Sequence, residues 1–406
     1  MAAVLALRFI PFLGGKDYWW GWGDLAFRWL HVIAAIAWIG SSFYFIALDN
    51  HLKPPKGKGD AERGVGGEVW EIHGGGFYRI EKFKVAPETL PEKLYWFKWE
   101  AYTTWLSGFA LITVVYYAHA STFLVDKSVA DLSSTEAILI SIGGLVLAWL
   151  VYDGLCRVIR DERLLAVAVA ACVVLATWGA SELFAPRAAY IQVGAMLGTI
   201  MVANVFFVII PMHWKLVRAK EAGQEPDPRW NELGKQRSVH NNYFTLPVVF
   251  AMLSNHFAFT YGHTHAWLIL VVLMALGAWV RHFFNLRHRG RNAWWILASA
   301  AAALVALAIV IRPSTSSSST SGPPPTAAEV QAIVANRCAP CHSTQPTEPG
   351  YSSPPAGIVL ETEAEIDQYA SLIRTVAVDS HAMPLGNATG MTQAERDTLA
   401  RWLASR

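Results

Sequence analysis

Cysteine is scarce in this sequence, with four among 406 residues. Cys338 and Cys341 form one Cys-x-x-Cys pair, whereas Cys156 and Cys172 lie in apolar stretches. Because no second pair is present, a four-cysteine zinc site is excluded.

Charged residues are also few, at 16%, whereas hydrophobic residues make up 53%. This composition is typical of an integral membrane protein, so we expect the lipid bilayer as a partner. A net charge of +2 gives no indication of nucleic-acid binding, and no nucleic-acid partner is predicted. Residues 326–406 differ from the rest, because nine acidic residues, five arginines and no lysine indicate a soluble domain.

A secretory leader is not predicted either. The apolar run Ala3–Leu13 is too short to cross a bilayer, and no cleavage site of small residues follows it. The aromatic cluster Tyr18–Trp22 comes next. We therefore expect an interfacial segment at the N-terminus.

The clearest motif is Cys338-Ala-Pro-Cys341-His342. Two thiols at this spacing, followed directly by histidine, predict covalent attachment of one haem c per chain, with His342 as an axial ligand of the iron. Met383, followed by proline about forty residues downstream, is the predicted sixth ligand. His381 and Met391 are the alternatives. A redox dithiol is the competing interpretation of the cysteine pair.

Long apolar stretches predict eight transmembrane helices. They lie near residues 25–48, 99–118, 136–155, 164–184, 190–214, 240–261, 266–286 and 293–311. A short alternating stretch on each side of Gly74–Gly76 predicts a small β-hairpin in the long loop 50–97. The predicted fold class is all-α: an eight-span transmembrane helix bundle followed by a domain like class I cytochromes c.

Lysine and arginine set the predicted orientation. The loops 49–97, 155–163, 215–239 and 281–291 hold 21 of them, whereas the alternate segments hold 4. The first set is therefore predicted to be cytoplasmic, in a bacterial inner membrane, with the N-terminus and the haem domain periplasmic. The predicted units are a membrane domain at 1–311, a Ser/Pro linker at 312–325 spanning roughly 20 Å, and a cytochrome c domain at 326–406.

Histidines inside predicted spans are candidate functional residues. His31 and His256 both lie about 9–10 Å below the outer surface by helical rise, so they are candidate ligands of a haem b. Arg28 shares a helix face with His31 and is a candidate partner of a haem propionate. The alternative is that each histidine hydrogen-bonds within the bundle without a metal.

A second polar group is predicted near the cytoplasmic ends of three helices. It consists of His213, His240, Asn241, Asn242, Arg281 and His282. Arginine for charge, asparagine amides for ring edges and histidine for proton transfer suit a planar, partly anionic substrate. The alternative is a basic membrane rim with incidental histidines.

Three stretches carry a resemblance to a known family. They are the first-span segment Trp29–Phe45, the loop segment Trp70–Tyr78 and the sixth-span segment His240–His256. Together with eight spans and a terminal single-haem domain, they make the chain similar to the bacterial membrane-bound, cytochrome c-fused urate oxidases (urate hydroxylases). The His31 stretch is also similar to the first span of membrane protoporphyrinogen oxidases, in which a histidine binds haem.

The resemblance implies oxidation of urate to 5-hydroxyisourate in purine catabolism, with water as the oxygen source. Electrons would pass to the chain's own haem c and then to a downstream respiratory acceptor. It assigns no catalytic residues, so the polar group rests on the reading of the residues alone. The competing hypothesis is a membrane-anchored electron-transfer or respiratory-chain cytochrome c module without urate chemistry.

Overall fold

The computed structural model describes residues 16–57, 59–312, 325–351 and 353–404, without the side chains of residues 16–18. The predicted interfacial run Ala3–Leu13 and residues 313–324 of the predicted linker lie outside the described residues. Within them the fold is mostly helical, as predicted.

Among the described residues, the helical domain contains eight main helices. They are α1 (Lys16–His51), α2 (Trp99–Ile112), α3 (Ser134–Val158), α4 (Glu162–Ser181), α5 (Pro186–Ala203), α6 (Pro228–Leu253), α7 (Ala266–His288) and α8 (Trp295–Val310). A π-helical turn, Thr113–Tyr117, continues α2, and a longer one, Asn204–Ile209, joins α5 to the helix Ile210–Glu221. Short helices lie at Ala120–Phe123, Ser254–His256 and Ala258–Tyr261.

In the part of the chain that the structure describes, five helical stretches are long and apolar enough to cross a membrane. They are Trp19–His51, Ser134–Val158, Glu162–Ser181, Pro186–Glu221 and Ala266–His288. The other three predicted spans are helical too: α8 is shorter, α6 has a polar first half, and α2 continues into its π-helical turn. The protein is thus a helical bundle with membrane-length apolar helices.

Helix starts follow from side-chain caps. Ser133 caps α3 by accepting a hydrogen bond from the backbone N–H of Glu136, whose carboxylate accepts from the backbone N–H of Ser133 in return. Asp161 caps α4 in a similar position. These bonds satisfy amide groups that a helix terminus would otherwise leave unpaired.

The core is organised around α5. The apolar stretch Pro186–Glu221, which begins with α5, is mostly buried. In its most apolar part 72% of the residues are buried, against 28% or less in the other four membrane-length stretches. A helix that is apolar on all sides is expected at the centre of a bundle. It packs against α3, α4 and α6, where Tyr190, Val193 and Leu197 are almost fully buried.

The predicted β-hairpin is confirmed. Strands β1 (Val65–His73) and β2 (Gly76–Phe83) are antiparallel, and Gly74 and Gly75 make the turn with positive φ angles of 57° and 83°. Asp60, just before β1, pairs with Arg79 at 2.6 Å and with Arg63 at 2.6 Å. The hairpin follows the end of α1, and this side of the bundle is called the hairpin end.

The C-terminal segment, residues 325–404 without residue 352, has its own small apolar core around Val330, Leu399 and Trp402. Its helices are α9 (Ala327–Arg337), α10 (Glu363–Gln368) and α11 (Gln393–Ala404), with short turns at Pro355–Gly357, Ala370–Ile373, Arg374–Asp379 and Leu385–Asn387. The segment packs on the short helices Ala120–Phe123 and Ala258–Tyr261. It shares a cavity with the start of α1, which is about 54 Å of helix length from the hairpin end.

Candidate functional site

A large cavity lies where the C-terminal segment meets the helical domain. Its volume is about 640 Å³, and Cys338, Cys341, His342 and Met383 all line it. On the opposite wall are residues from the helical domain, among them Arg28, Arg187 and His256. The motif residues therefore face one shared space between the two parts of the chain.

Backbone geometry holds the Cys-x-x-Cys-His motif at the end of α9. The N–H of His342 donates to the carbonyl of Cys338 at 2.8 Å, which closes a tight turn. The ring Nδ1 of His342 lies 3.0 Å from the carbonyl oxygen of Ile358, an orientation that leaves Nε2 for another partner. A bond from the other ring nitrogen to a backbone carbonyl is typical of metal-ligating histidines.

Thiol chemistry at the motif suits covalent attachment. Both cysteines are free, and burial raises the pKa of Cys338 to about 12 and that of Cys341 to about 11. Reactive dithiols instead have lowered pKa values. Among the described residues no group of three or more His, Cys, Asp or Glu side chains could hold a metal ion. The two thiols and His342, which line one cavity, are the residues that would hold a covalently attached haem c.

The three candidate sixth ligands occupy different places. Met383 lines the cavity, and its carbonyl oxygen accepts a hydrogen bond from Arg396 at 2.7 Å. Met391 is buried in the core of the C-terminal segment instead, at 4% exposure. His381 is exposed and has a positive φ of 52°. Of the three, Met383 shares the cavity with His342.

His31 and His256, the predicted haem b ligands, have different surroundings. His31 packs against α2, where its Nδ1 lies 2.9 Å from the carbonyl oxygen of Thr104. His256 lines the large cavity, as does Arg28, which is ion-paired with Asp24 at 2.6 Å. The structure thus brings His256 and Arg28 to one cavity, whereas His31 contacts a neighbouring helix.

The six polar residues predicted near the hairpin end divide into separate groups. His240, Asn241 and Asn242 are consecutive on α6, so their side chains leave the helix about 100° apart. His240 bonds to the hydroxyl of Tyr152 on α3 at 2.7 Å. Asn241 donates to the carbonyl oxygen of Met201 at 2.9 Å. Asn242 accepts from Arg281 on α7 at 2.8 Å.

The remaining two predicted residues lie apart from these groups. His282 accepts or donates a hydrogen bond at 2.7 Å with the hydroxyl of Tyr243 and stacks on Trp279. His213 lies beside Trp96, with ring centroids 6.3 Å apart. The structure therefore brings Asn242 and Arg281 together. His240 and Asn241 are linked through Tyr152 and Asn204, whereas His213 and His282 lie in separate contacts.

Arg281 and Asn242 form the core of a polar cluster between α1, α6 and α7. Arg281 is 3% exposed, and its guanidinium lies over the ring of Phe43 at 3.9 Å. Asn285 also donates to the Oδ1 atom of Asn242, at 3.1 Å. No carboxylate among the described residues lies within ion-pairing distance of Arg281.

Several polar atoms of this cluster are buried without a hydrogen-bond partner among the described residues. They are Arg281 Nη2, Asn242 Nδ2 and Asn285 Oδ1; nearer the hairpin end, Asn50 Nδ2 and His288 Nδ1 are also buried without a partner among the described residues. Donors and an acceptor left unpaired in one place carry a large desolvation cost unless a ligand or water satisfies them. The cluster therefore has the chemistry of a binding site for a planar anion.

A family profile described as "Urate oxidase N-terminal" matches residues 17–312. The chain belongs to this urate oxidase family. No curated protein and no solved structure matches the chain. The matched region contains both the polar cluster and the helical wall of the large cavity, and it ends just before residues 313–406.

Three polar residues of the region matched by the urate oxidase family were not among those predicted from the sequence. Asn285 and His288 follow Arg281 by four and seven positions, so all three share one face of α7, a pattern that the sequence already contained. Asn204 was missed as well: it is fully buried at the start of a π-helical turn and donates to both Tyr152 and Asn241. Such turns often occur at functional sites, but no residue pattern in the sequence pointed to this one.

Proposed function

We propose that this protein is an integral membrane oxidoreductase that oxidises urate to 5-hydroxyisourate. It takes the oxygen atom from water and delivers the electrons to a haem c on its own C-terminal domain. Membership of the urate oxidase family supports the substrate, and the membrane-length helices support the location. The observation that carries the proposal is the buried guanidinium of Arg281, which has no carboxylate partner.

Urate is a planar anion near pH 7, with alternating N–H and C=O groups on its edges. In the proposed site the free Nη2 of Arg281 binds the deprotonated ring edge, and the amides of Asn242 and Asn285 pair with neighbouring ring groups. Phe43 already stacks on the guanidinium and keeps it in place. The substrate thus supplies the negative charge that the cluster lacks.

Proton removal is assigned to His288. Its Nδ1 is buried without a partner, and its ring packs against that of His51 at 4.9 Å. His288 lies on the same face of α7 as Arg281, two turns closer to the hairpin end. His240 was the other candidate, but it is bonded to Tyr152 on a different face of α6.

The proposed reaction balances. Urate loses two electrons, a water oxygen forms a bond to ring carbon C5, and two protons leave, the first of them from the attacking water to His288. When bound, haem c would accept the electrons one at a time, which avoids reduction of O2. Cys338 and Cys341 would hold it covalently, and His342 and Met383 would bind its iron.

Electrons must travel from the polar cluster to the large cavity. Asn242 on α6 lies in the polar cluster, and Asn255, in the turn after α6, lines the large cavity. The two residues are thirteen positions apart, which corresponds to about 20 Å of helical rise. We retain His31 and His256 as candidate ligands of a haem b at the cavity end, with Arg28 beside them. A redox group there would shorten this path.

The proposed topology has eight spans at 1–311, the linker at 312–325 and a periplasmic cytochrome c domain at 326–406. The hairpin end then faces the cytoplasm of a bacterial cell, where urate arises, and its basic loops attract the urate anion. The haem c would pass electrons to a downstream respiratory acceptor.

Isotope labelling tests the proposed reaction. Purified protein is given urate and an electron acceptor in water enriched in oxygen-18, and the 5-hydroxyisourate is analysed by mass spectrometry. We expect one oxygen-18 atom per product molecule, both in air and without O2. An unlabelled product would contradict water as the oxygen source. A product formed only in air would contradict haem c as the electron acceptor.

Oriented membrane vesicles test the sidedness. Vesicles that expose only the hairpin end should oxidise added urate, whereas vesicles of opposite orientation should not. Activity confined to the opposite orientation would place the substrate site near the large cavity.

A further inference from the structure

The helical domain contributes an arginine to the wall of the cavity that holds the haem c motif. Three arginines line this cavity: Arg28, Arg187 and Arg337. Arg28 is neutralised by Asp24 at 2.6 Å, and Arg337 by Glu395 at 3.0 Å. Arg187 has no carboxylate within ion-pairing distance among the described residues.

The position of Arg187 is fixed by its neighbours. Its Nε donates to Asn255 at 2.8 Å, and its guanidinium lies 5.9 Å from the ring centroid of Phe123. Arg187 also lies in the first turn of α5, where the backbone N–H groups of the helix point toward the cavity end. A helix of eighteen residues adds positive potential at its N-terminus. Both features favour an anion on this wall.

The C-terminal segment is closely packed on the same wall. The rings of Phe123 and Tyr351 lie 5.5 Å apart, and the hydroxyl of Thr122 donates to the carbonyl oxygen of Pro349 at 3.4 Å. A Cβ atom on Gly262 would come within 2.6 Å of the carbonyl oxygen of Ser380. The two parts of the chain therefore meet at a site where there is no room for an added methyl group.

We propose that Arg187 binds a propionate of the haem attached to Cys338 and Cys341, so that the helical domain completes the haem c pocket. This inference rests on the haem c assignment of the proposed function. A haem carries two propionate carboxylates, and an arginine without an acidic partner can bind one of them with two parallel hydrogen bonds. The cytochrome is then docked with its propionate side toward the helices that supply electrons.

A docked cation has a measurable effect on the haem. Positive charge near the iron stabilises the reduced state, which carries one positive charge less. Removing the charge of Arg187 should therefore lower the midpoint potential of haem c. We expect the equilibrium constant for reduction to fall about tenfold, which corresponds to about 59 mV for a one-electron couple.

Potentiometric titration of the full-length protein tests this assignment. Arg187→Gln should lower the midpoint potential while the denatured chain still stains for covalent haem, and Arg187→Lys, which keeps the charge, should shift it less. The control is Arg374→Gln, which removes the same charge from the C-terminal segment outside the cavity. A wild-type potential in Arg187→Gln, or an equal shift in Arg374→Gln, would overturn the inference.

A second variant covers the case in which Arg187→Gln does not accumulate. Gly262→Ala keeps every charge but must displace the backbone of Ser380, so it should loosen the docking and lower the potential in the same direction. A wild-type potential in Gly262→Ala would then overturn the inference. Absence of covalent haem from the wild-type chain would instead contradict the proposed function itself.

Discussion

Replacing Arg281 by glutamine removes the one charge that the proposed urate site offers. The side chain is 3% exposed, its Nε donates to Asn242 at 2.8 Å, and its Nη2 is buried without a partner among the described residues. Glutamine keeps a donor of similar length near Asn242. The variant therefore tests the charge rather than the packing.

The expected loss of affinity follows from one charge-assisted hydrogen bond. Bonds to a charged group contribute about 1.5–3 kcal/mol, so Arg281→Gln should weaken urate binding by about 10- to 150-fold. The KM for urate should rise, and urate should no longer raise the unfolding temperature of the detergent-solubilised protein. Covalent haem content should stay at the wild-type level.

Arg237 on α6 provides a matched control. It is also 3% exposed, but its guanidinium is ion-paired with Asp153 at 2.7 Å. Arg237→Gln would remove the buried partner of Asp153 and leave that carboxylate paired only with the exposed Arg157 at 2.7 Å. Breaking a fully buried pair costs about 3–5 kcal/mol, which is the upper bound for this variant. Arg281→Gln leaves no such charge behind. Without urate, only the Arg237 variant should unfold at a clearly lower temperature.

The two assays together can refute the reasoning. If urate raises the unfolding temperature of Arg281→Gln as much as that of the wild type, the guanidinium does not bind the substrate. If Arg281→Gln is as unstable without urate as Arg237→Gln, Arg281 has a structural role that the contacts do not reveal.

Four further outcomes are expected. Cys338→Ala should give a membrane protein without covalent haem, measured by haem staining of denaturing gels. Met383→Ala should lower the potential of haem c and abolish the near-infrared band of sulfur-ligated ferric haem. His31→Ala should abolish any haem b signal in a pyridine haemochrome spectrum while haem c remains. His288→Ala should reduce turnover by roughly 10²–10⁴-fold, the usual effect of losing a general base, whereas His240→Ala should retain more activity.

Each of these expectations has a contrary result. A fully stained band in Cys338→Ala would end the haem c assignment. If the near-infrared band persists in Met383→Ala but is lost in Met391→Ala, the sixth ligand is Met391 and not Met383. Wild-type protein with c-type haem alone would remove haem b from the scheme. If turnover is lost in His240→Ala but kept in His288→Ala, the general base is His240 on α6 and not His288.

The helices and the β-hairpin could be predicted from the sequence, because each depends on a local pattern of residues. Apolar runs predicted the helical stretches, and the glycines at 74 and 75 predicted the turn between β1 and β2. The faces of α6 were accessible too, since consecutive helical residues lie about 100° apart. That rule separates His240 from Asn242, although the two lie at nearly the same depth.

Contacts between distant segments were not accessible in this way. The docking of the C-terminal segment depends on Gly262, Gly350 and Gly386, whose missing side chains allow close approach to residues far away in the chain. Arg187 can be identified as a candidate anion-binding residue only from the structure, which shows that it has no acidic partner among the described residues. A pattern of residue types does not show which charges are already paired.

Anaerobic reduction of haem c by urate tests the central claim most directly. Purified, oxidised protein is mixed with urate in the absence of O2, and the absorbance of reduced haem c is followed. The account predicts reduction that reaches two electrons per urate when an external acceptor is present, with formation of 5-hydroxyisourate. A haem c that dithionite reduces fully, but that stays oxidised in saturating urate, would contradict it.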